Sequence, residues 1–516
     1  MQKIITLAFR ILNILMIGIS ILWLLSSLTW FWQIYSKYES LNTLVFVLIL
    51  VVLTLYLLKF KFSKIQAGYR WLMSKKIWLL LGALIFQVIL LLSSDMMIRS
   101  DAAVVFNGAI EAIPAKSISS YLSRNPNNLM LFLYERFFYH LFGQQAVWVL
   151  QGFNILYTHL AGGILYLAAK RHLDQAVADR TFTFYYFLIL LTPKFMAMYT
   201  DVMVLPILAI QIYALIAILK NNPTKKDKWG FLFLGLLTGL GLAFRPTGAI
   251  IVIAFFIVYA SYHSMRKTTP YFLLFSLGLG VSYGGLGYYK DHQTEVVIMT
   301  EDGLSKNALT FINLGLTHSG TDQTDMKDGL LQYVPEEDHN KYNNGMFKNE
   351  YQLAEIKRRL KEYNLISFLD HTLYKQYRTT GQGNLNWIYK SPDEEKSDYM
   401  NPLTDKTANH DLAQFVRRYL IYTDESGFQY YDYFIQFIWV LLSLGLVFFF
   451  IHSKTPSNQI NQFLGLALFG GLLFLQLFEG GKSRYLIQFL PQIVFIAALG
   501  WGNWTLKNNV SSYDDQ

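Results

Sequence analysis

Ser93-Ser94-Asp95-Met96-Met97-Ile98-Arg99-Ser100-Asp101 follows directly on an apolar run from Ile77 to Leu92 and ends it with two carboxylates. A run of that length crosses the hydrocarbon of a bilayer as a helix, so both acids stand just beyond a membrane surface. Similar runs recur along most of the 516 residues, of which 53% are hydrophobic and 16% aromatic. Charged residues make up 15%, well below the roughly 25% of soluble domains, and the mean hydropathy is +0.29. The pattern is that of an all-α integral membrane protein with about twelve transmembrane helices. They start near Leu7, Thr43, Ile77, Ala146, Phe182, Val202, Trp229, Thr247, Tyr271, Tyr433, Ile460 and Arg484.

Orientation follows from the loops. Lys59, Lys61, Lys64, Arg70, Lys75 and Lys76 crowd the second loop, which places it in the cytoplasm. Lys170-Arg171, Lys220, Lys225, Lys226, Lys228, Arg266-Lys267, Lys454 and Lys507 fall on the same side. The net charge of +9 is thereby accounted for without a nucleic-acid partner. The N-terminal apolar run, which reaches about Trp32, is too long for a signal peptide and reads as a retained first span. Without cysteine the chain has no disulfides and no thiolate metal site.

Three regions result. Residues 1-290 form a transmembrane region whose first outer loop, 93-128, carries the candidate catalytic acid. Residues 291-429 are polar yet contain Phe311, Trp387 and several tyrosines, and read as an extracytoplasmic insert, mainly α or mixed. Residues 430-516 return to the membrane as C-terminal helices. The segment from Asn128 to Phe142 is apolar but holds Glu135, Arg136 and His140, so it lies in the interface or re-enters, where such charges are tolerated.

The unusual polar residues share the outer side. Asp95 and Asp101 sit in the first outer loop, and Tyr199-Thr200-Asp201 closes another outward hairpin behind Thr192-Pro193-Lys194. Alone, a carboxylate at a membrane edge is more often a solvated end-marker. Paired acids on one surface suit general-base chemistry on a hydroxyl. Arg245, in Phe244-Arg245-Pro246-Thr247, and Lys482 and Arg484, beside Glu479, lie outward where the orientation rule disfavours positive charge. Snorkelling to headgroups would explain any one of them. Several at one level point to a bound anion, most simply a lipid phosphate gripped by guanidinium. Tyr121-Leu122-Ser123-Arg124-Asn125-Pro126-Asn127-Asn128 has the composition of a turn. His318 has no second histidine at ligand spacing, and Gly381-Gln382-Gly383 is too short for a phosphate loop.

In order, these motifs resemble the bacterial GT-C membrane glycosyltransferases, relatives of the protein O-mannosyltransferases and the aminoarabinose lipid A transferase. The resemblance runs from about Ile77 to Pro491. It rests on Asp101 with Ala109 eight residues on, Tyr-x-Ser-Arg-x-Pro-Asn-Asn, Tyr-Thr-Asp, Arg245-Pro246-Thr247, Asn313-Leu314-Gly315-Leu316 and Ser483-Arg484-Tyr485-Leu486 with Leu490-Pro491. Departures are Arg245 in place of a lysine, Glu479-Gly480-Gly481-Lys482 in place of a Glu-Ala-Arg-like run, and no methionine pair before Gly315.

The resemblance implies a sugar transferred from a polyprenyl-phosphate donor to an acceptor hydroxyl on a surface glycan, cell-wall polymer or protein. The site faces outward at a bacterial cytoplasmic membrane. Asp101 and Asp201 take catalytic positions, with Asp101 as base. Asp95, Arg124, Asn127, Arg245, Glu479, Lys482 and Arg484 bind substrate, the arginines holding the donor phosphate. No cofactor is required, though a divalent cation bridging Asp101 and Asp201 to the phosphate stays open. The alternative class is a flippase or transporter of lipid-linked glycans, which would need ionisable residues deep in the spans and symmetry between halves.

Overall fold

A computed structural model describes residues 2–221, 228–339, 345–391, 398–452 and 458–514. Lys225, Lys226 and Lys454 therefore lie outside the described residues. Three helices open the chain: α1 (Gln2–Tyr38), α2 (Leu41–Ser74) and α3 (Lys76–Ser93). A three-residue strand β1 (Met96–Ile98) leads to α4 (Ser100–Ala109), α5 (Ala115–Arg124) and α6 (Leu129–Phe142). Next come α7 (Ala146–His172), α8 (Gln175–Tyr185), the short α9 (Thr200–Met203), α10 (Leu205–Asn221), α11 (Lys228–Phe244), α12 (Gly248–Tyr262) and α13 (Met265–His292). The insert holds α14 (Ala308–Gly315), α15 (Gln323–Leu331), α16 (Asn349–Glu362), α17 (Leu365–Thr380), strand β2 (Tyr399–Met400), α18 (Thr404–Thr407) and α19 (Asp411–Val416). The chain closes with α20 (Phe428–His452), α21 (Gln459–Leu477) and α22 (Leu490–Asp514).

Helix covers each of the twelve expected segments. Among the described residues, however, six helices are long and apolar enough to cross a membrane by length and composition, and α11 and α12 are shorter apolar ones. The difference from twelve has visible causes. The segment expected from Phe182 begins earlier, in α8, and breaks into a π-helical turn at Tyr186–Leu190. Gln151, Asn154 and Thr158 make α7 polar inside, and they are buried.

The first turns of α22 form the axis of the bundle. Leu490, Ile493, Val494, Phe495, Ile496, Ala497 and Ala498 are all 0% exposed, as expected for a helix apolar on every side. Around it, α20 packs on α22 and α1, α7 on α10 and α8, and α12 on α21. Small residues set the closest crossings. A Cβ on Gly500 would stand 1.9 Å from the Gly445 carbonyl oxygen, and one on Gly235 2.1 Å from that of Phe275. Such backbone approach is how helices associate where lipid removes the hydrophobic incentive.

Two devices join the insert to the bundle. In the first, β1 pairs antiparallel with β2, and Asn401 just beyond donates to the Leu91 and Ser94 carbonyls at 2.9 and 2.7 Å. In the second, Lys375 of α17, 0% exposed, donates to the Gly315, Gln476 and Phe478 carbonyls at 2.8, 2.7 and 3.3 Å. An ammonium group at the C-terminal carbonyls of α21 satisfies acceptors the helix leaves orphaned and suits the dipole there. Between them, Gln436 of α20 donates to the Ser27 and Gly381 carbonyls and accepts from the Gly383 amide. The stretch from Gly381 to Gly383 is therefore a strap across α1 and α20.

Candidate functional site

Asp101 occupies the first turn of α4. Ser100 before it adopts φ 55°, a left-handed conformation that costs energy for a residue with a side chain. Asp398 holds that turn: its carboxylate accepts from the Ser100 amide at 3.1 Å and from Arg99 Nε at 3.1 Å. The Asp101 side chain is exposed and lines a cavity that it shares with Lys194, Tyr199, Asp201, Trp387 and Arg484.

Tyr199 is the centre of the opposite wall. The Arg245 guanidinium lies 5.2 Å from its ring centre and that of Arg484 5.7 Å, so two cations stand against one phenol ring. Arg245 also forms a close ion pair with Asp201. Even so, Nε of Arg245 and Nε of Arg484 are buried without a hydrogen-bond partner. Buried guanidinium donors are rarely left unsatisfied, because desolvation without a partner is costly.

A relay joins this pair to the acid. The Tyr199 hydroxyl donates to Asn128 Oδ1 at 2.9 Å, and Asn128 Nδ2 donates to the Tyr121 oxygen at 2.8 Å. The Tyr121 phenol is pushed up first by burial and then by the charge of Asp101, to which it is hydrogen-bonded. Asn127 buttresses Asn128 at 3.2 Å. The turn-like Tyr-x-Ser-Arg-x-Pro-Asn-Asn stretch thus supplies the two members that connect Asp101 to Tyr199.

The other expected residues separate into groups. Arg124 ends α5, and its carbonyl accepts from the Lys306 amide at 3.0 Å. Glu479 accepts from the Tyr485 hydroxyl. With Asn127, Arg245, Phe311 and Phe478 it lines a second, mainly apolar cavity. Lys482 is half-buried; burial lowers its pKa, against the pull of Glu479. Asp95 is not in the site. It is 8% exposed, ion-paired with Arg417 at 2.6 Å, and accepts from the Tyr422 hydroxyl at 2.7 Å. Glu135 and Arg136 also part company. Glu135 is buried without a partner, whereas Arg136 pairs with Glu111 and Glu295.

Lys194 was passed over in the sequence. It is 5% exposed, donates to the Leu385 carbonyl at 3.2 Å and lies 5.0 Å from the centre of the Trp387 ring. The signal was present: a lysine on the outward side breaks the same orientation rule that singled out Arg245. Among the described residues, no three His, Asp or Glu side chains gather as metal ligands. With Asp201 turned to Arg245, the residues do not fit a cation bridging the two acids.

Fold and site together define a helical membrane protein with a charged cavity at one end of its bundle. The chain belongs to the family described as conserved hypothetical integral membrane protein, whose match spans residues 1–505. No curated protein and no solved structure gives a match.

Proposed function

We propose that the chain is a membrane glycosyltransferase that moves a sugar from a polyprenyl-phosphate donor to an acceptor hydroxyl. One observation carries the reading. Arg484, whose Nε is buried without a hydrogen-bond partner, stands in one cavity with an exposed carboxylate, Asp101, and Arg245 lies against the same Tyr199 ring from the neighbouring cavity. An anion-binding wall opposite a base is what transfer from a phosphate leaving group needs.

In this reading the donor phosphate lies against Arg245, Arg484 and Lys194, with its hydrocarbon leading into the apolar cavity beyond Tyr485. The acceptor hydroxyl enters beside Asp101. Its oxygen forms the new bond to the sugar's anomeric carbon while the bond from that carbon to the phosphate oxygen breaks. Asp101 takes the hydroxyl proton, and the guanidinium groups hold the charge that develops on the leaving polyprenyl phosphate. Tyr121 keeps the Asp101 carboxylate aimed. Energy is already stored in the donor bond, so no nucleotide sugar and no cation enters the step.

Replacing Arg484 with Gln is expected to raise the apparent donor KM or lower kcat/KM by roughly tenfold to a hundredfold, the equivalent of about 1.5–3 kcal/mol for a charge-assisted hydrogen bond. Arg245→Gln should do the same. Transfer of radiolabelled sugar from a polyprenyl-phosphate donor by purified protein measures it. Unchanged kinetics in both variants would reduce the arginines to headgroup anchors.

The reading also sets the site outside the cytoplasm. Ser36 and Ser74 are exposed at opposite ends of the first two helices, and the chain has no cysteine of its own. Ser36→Cys is expected to react with an impermeant maleimide on intact cells. Ser74→Cys should react only after permeabilisation. Outside labelling at Ser74 would invert the protein and bring the cavity to the cytoplasm.

A further inference from the structure

The insert contributes five residues, Leu385 to Tyr389, to the cavity of Asp101 and Arg484. Leu385 and Asn386 are consecutive and both left-handed, with φ 52° and 54°. Asparagine tolerates that conformation, but leucine adopts it only at a cost. Such a turn persists where its surroundings over-determine it. Here Asn384, buried, donates to Asp432 Oδ1 at 2.6 Å and accepts from the Trp387 amide at 3.3 Å. The Leu385 carbonyl accepts from Lys194, and the Leu385 side chain is itself buried. Beyond the turn, Trp387 and Tyr389 stack with ring centres 4.1 Å apart. Their polar atoms are spent: Trp387 Nε1 donates to the Ile421 carbonyl at 2.9 Å, and the Tyr389 hydroxyl to that of Met97 at 3.2 Å. Asn386 differs. It is half-buried at the cavity wall, and its amide side chain makes no hydrogen bond among the described residues. Of the five, it alone has a polar side chain left to offer a ligand.

We propose that Asn386 is a specificity-determining residue, hydrogen-bonding a hydroxyl of an uncharged sugar carried on the donor phosphate. This assignment rests on the transferase reading and adds the class of the transferred group. In that reading the sugar joins the phosphate at Arg484 to the acceptor at Asp101, and its hydroxyls meet the Leu385–Tyr389 wall of the same cavity. An amide offers a donor and an acceptor together, and a hydroxyl answers both. A carboxylate on the sugar would use the Nδ2 donor alone, and an ammonium group the Oδ1 acceptor alone. The pinned turn fixes the backbone from which the amide is presented, which lowers the ordering cost of binding.

Binding to detergent-purified full-length protein tests the assignment without turnover. Undecaprenyl phosphate and its glucosyl, galactosyl, mannosyl and glucuronosyl esters compete against tritiated undecaprenyl phosphate. Asn386→Gly removes the amide and leaves the left-handed turn free of steric cost, so it should melt close to the wild type. It is expected to weaken at least one of the three uncharged esters roughly three- to tenfold, as for the loss of one hydrogen bond. Its affinity for bare undecaprenyl phosphate should not change. Unaltered binding of all three esters, an equal loss for the bare phosphate, or melting far below the wild type would each overturn the proposal. Tighter binding of the glucuronosyl ester than of any uncharged one by the wild type would do the same. Arg484→Gln should weaken every one of these lipids. If it weakened none, while Asn386→Gly still lost an uncharged ester selectively, the phosphate wall of the transferase reading would fall and the Asn386 contact would stand.

Discussion

Asp101→Asn is expected to lower turnover by roughly 10²- to 10⁴-fold, the usual contribution of a positioned general base, while binding of the lipid donor survives. The amide keeps the size of the carboxylate and still accepts from Tyr121, but it cannot take the acceptor's proton. Position supports the choice of this acid. Asp101 is exposed at the cavity and lies in the first turn of α4. Asp201 is occupied with Arg245, so Asp201→Asn should act mainly by loosening that arginine and raising donor KM. Single-turnover rates with a labelled donor, measured beside equilibrium donor binding, separate the two effects. Near-normal chemistry in Asp101→Asn would move the base elsewhere.

The second large effect is structural. Arg417→Ala is expected to destabilise the protein by about 3–5 kcal/mol, the range for removing one partner of a buried pair. Arg417 bonds the Ser93 carbonyl through Nε at 2.7 Å and reaches the Asp95 carboxylate through Nη2 at 2.6 Å. Its loss strands the Asp95 charge beneath the insert. Tyr422→Phe should cost less, about 1–3 kcal/mol, since it removes a single hydrogen bond to that group. In Asp95→Asn/Arg417→Gln both charges disappear, and part of the stability should return. Thermal unfolding in detergent gives the order. If Arg417→Ala melted with the wild type, the pair would be no anchor. Asp95→Asn is thereby expected to lose activity through unfolding rather than through the chemical step, which purified, still-folded protein would reveal.

The parts of the protein that could be read from sequence are those governed by local pattern. Apolar runs announced helices, and the orientation rule drew attention to Arg245, Lys482 and Arg484 because each stands where lysine and arginine are usually scarce. The span count was less legible: length and hydropathy alone do not say that α8 gives way to a π turn at Tyr186, or that α7 buries Gln151 and Asn154 against its neighbours. Pairings across the chain were not legible at all. Asp95 reads as a twin of Asp101 until Arg417, more than 300 residues away, is seen to claim it. Asn128 reads as a turn residue until Tyr121 and Tyr199 are found on its two ends. Lys194 was visible and unremarked, because its partner Trp387 belongs to the insert.

On the transferase reading, the Lys375 joint bears on how substrates come and go. Three carbonyls from α14 and the end of α21 converge on one ammonium group that no solvent reaches, so the insert is bolted to the bundle close to the cavity. Any opening of the insert there would have to break the bonds from Lys375 to the Gln476 and Phe478 carbonyls. On the transferase reading, the size of acceptor that reaches Asp101 is then set by an aperture framed by the start of α4 on one side and the Leu385–Tyr389 segment on the other. Discrimination by bulk becomes a property of that frame's width, present before any ligand arrives.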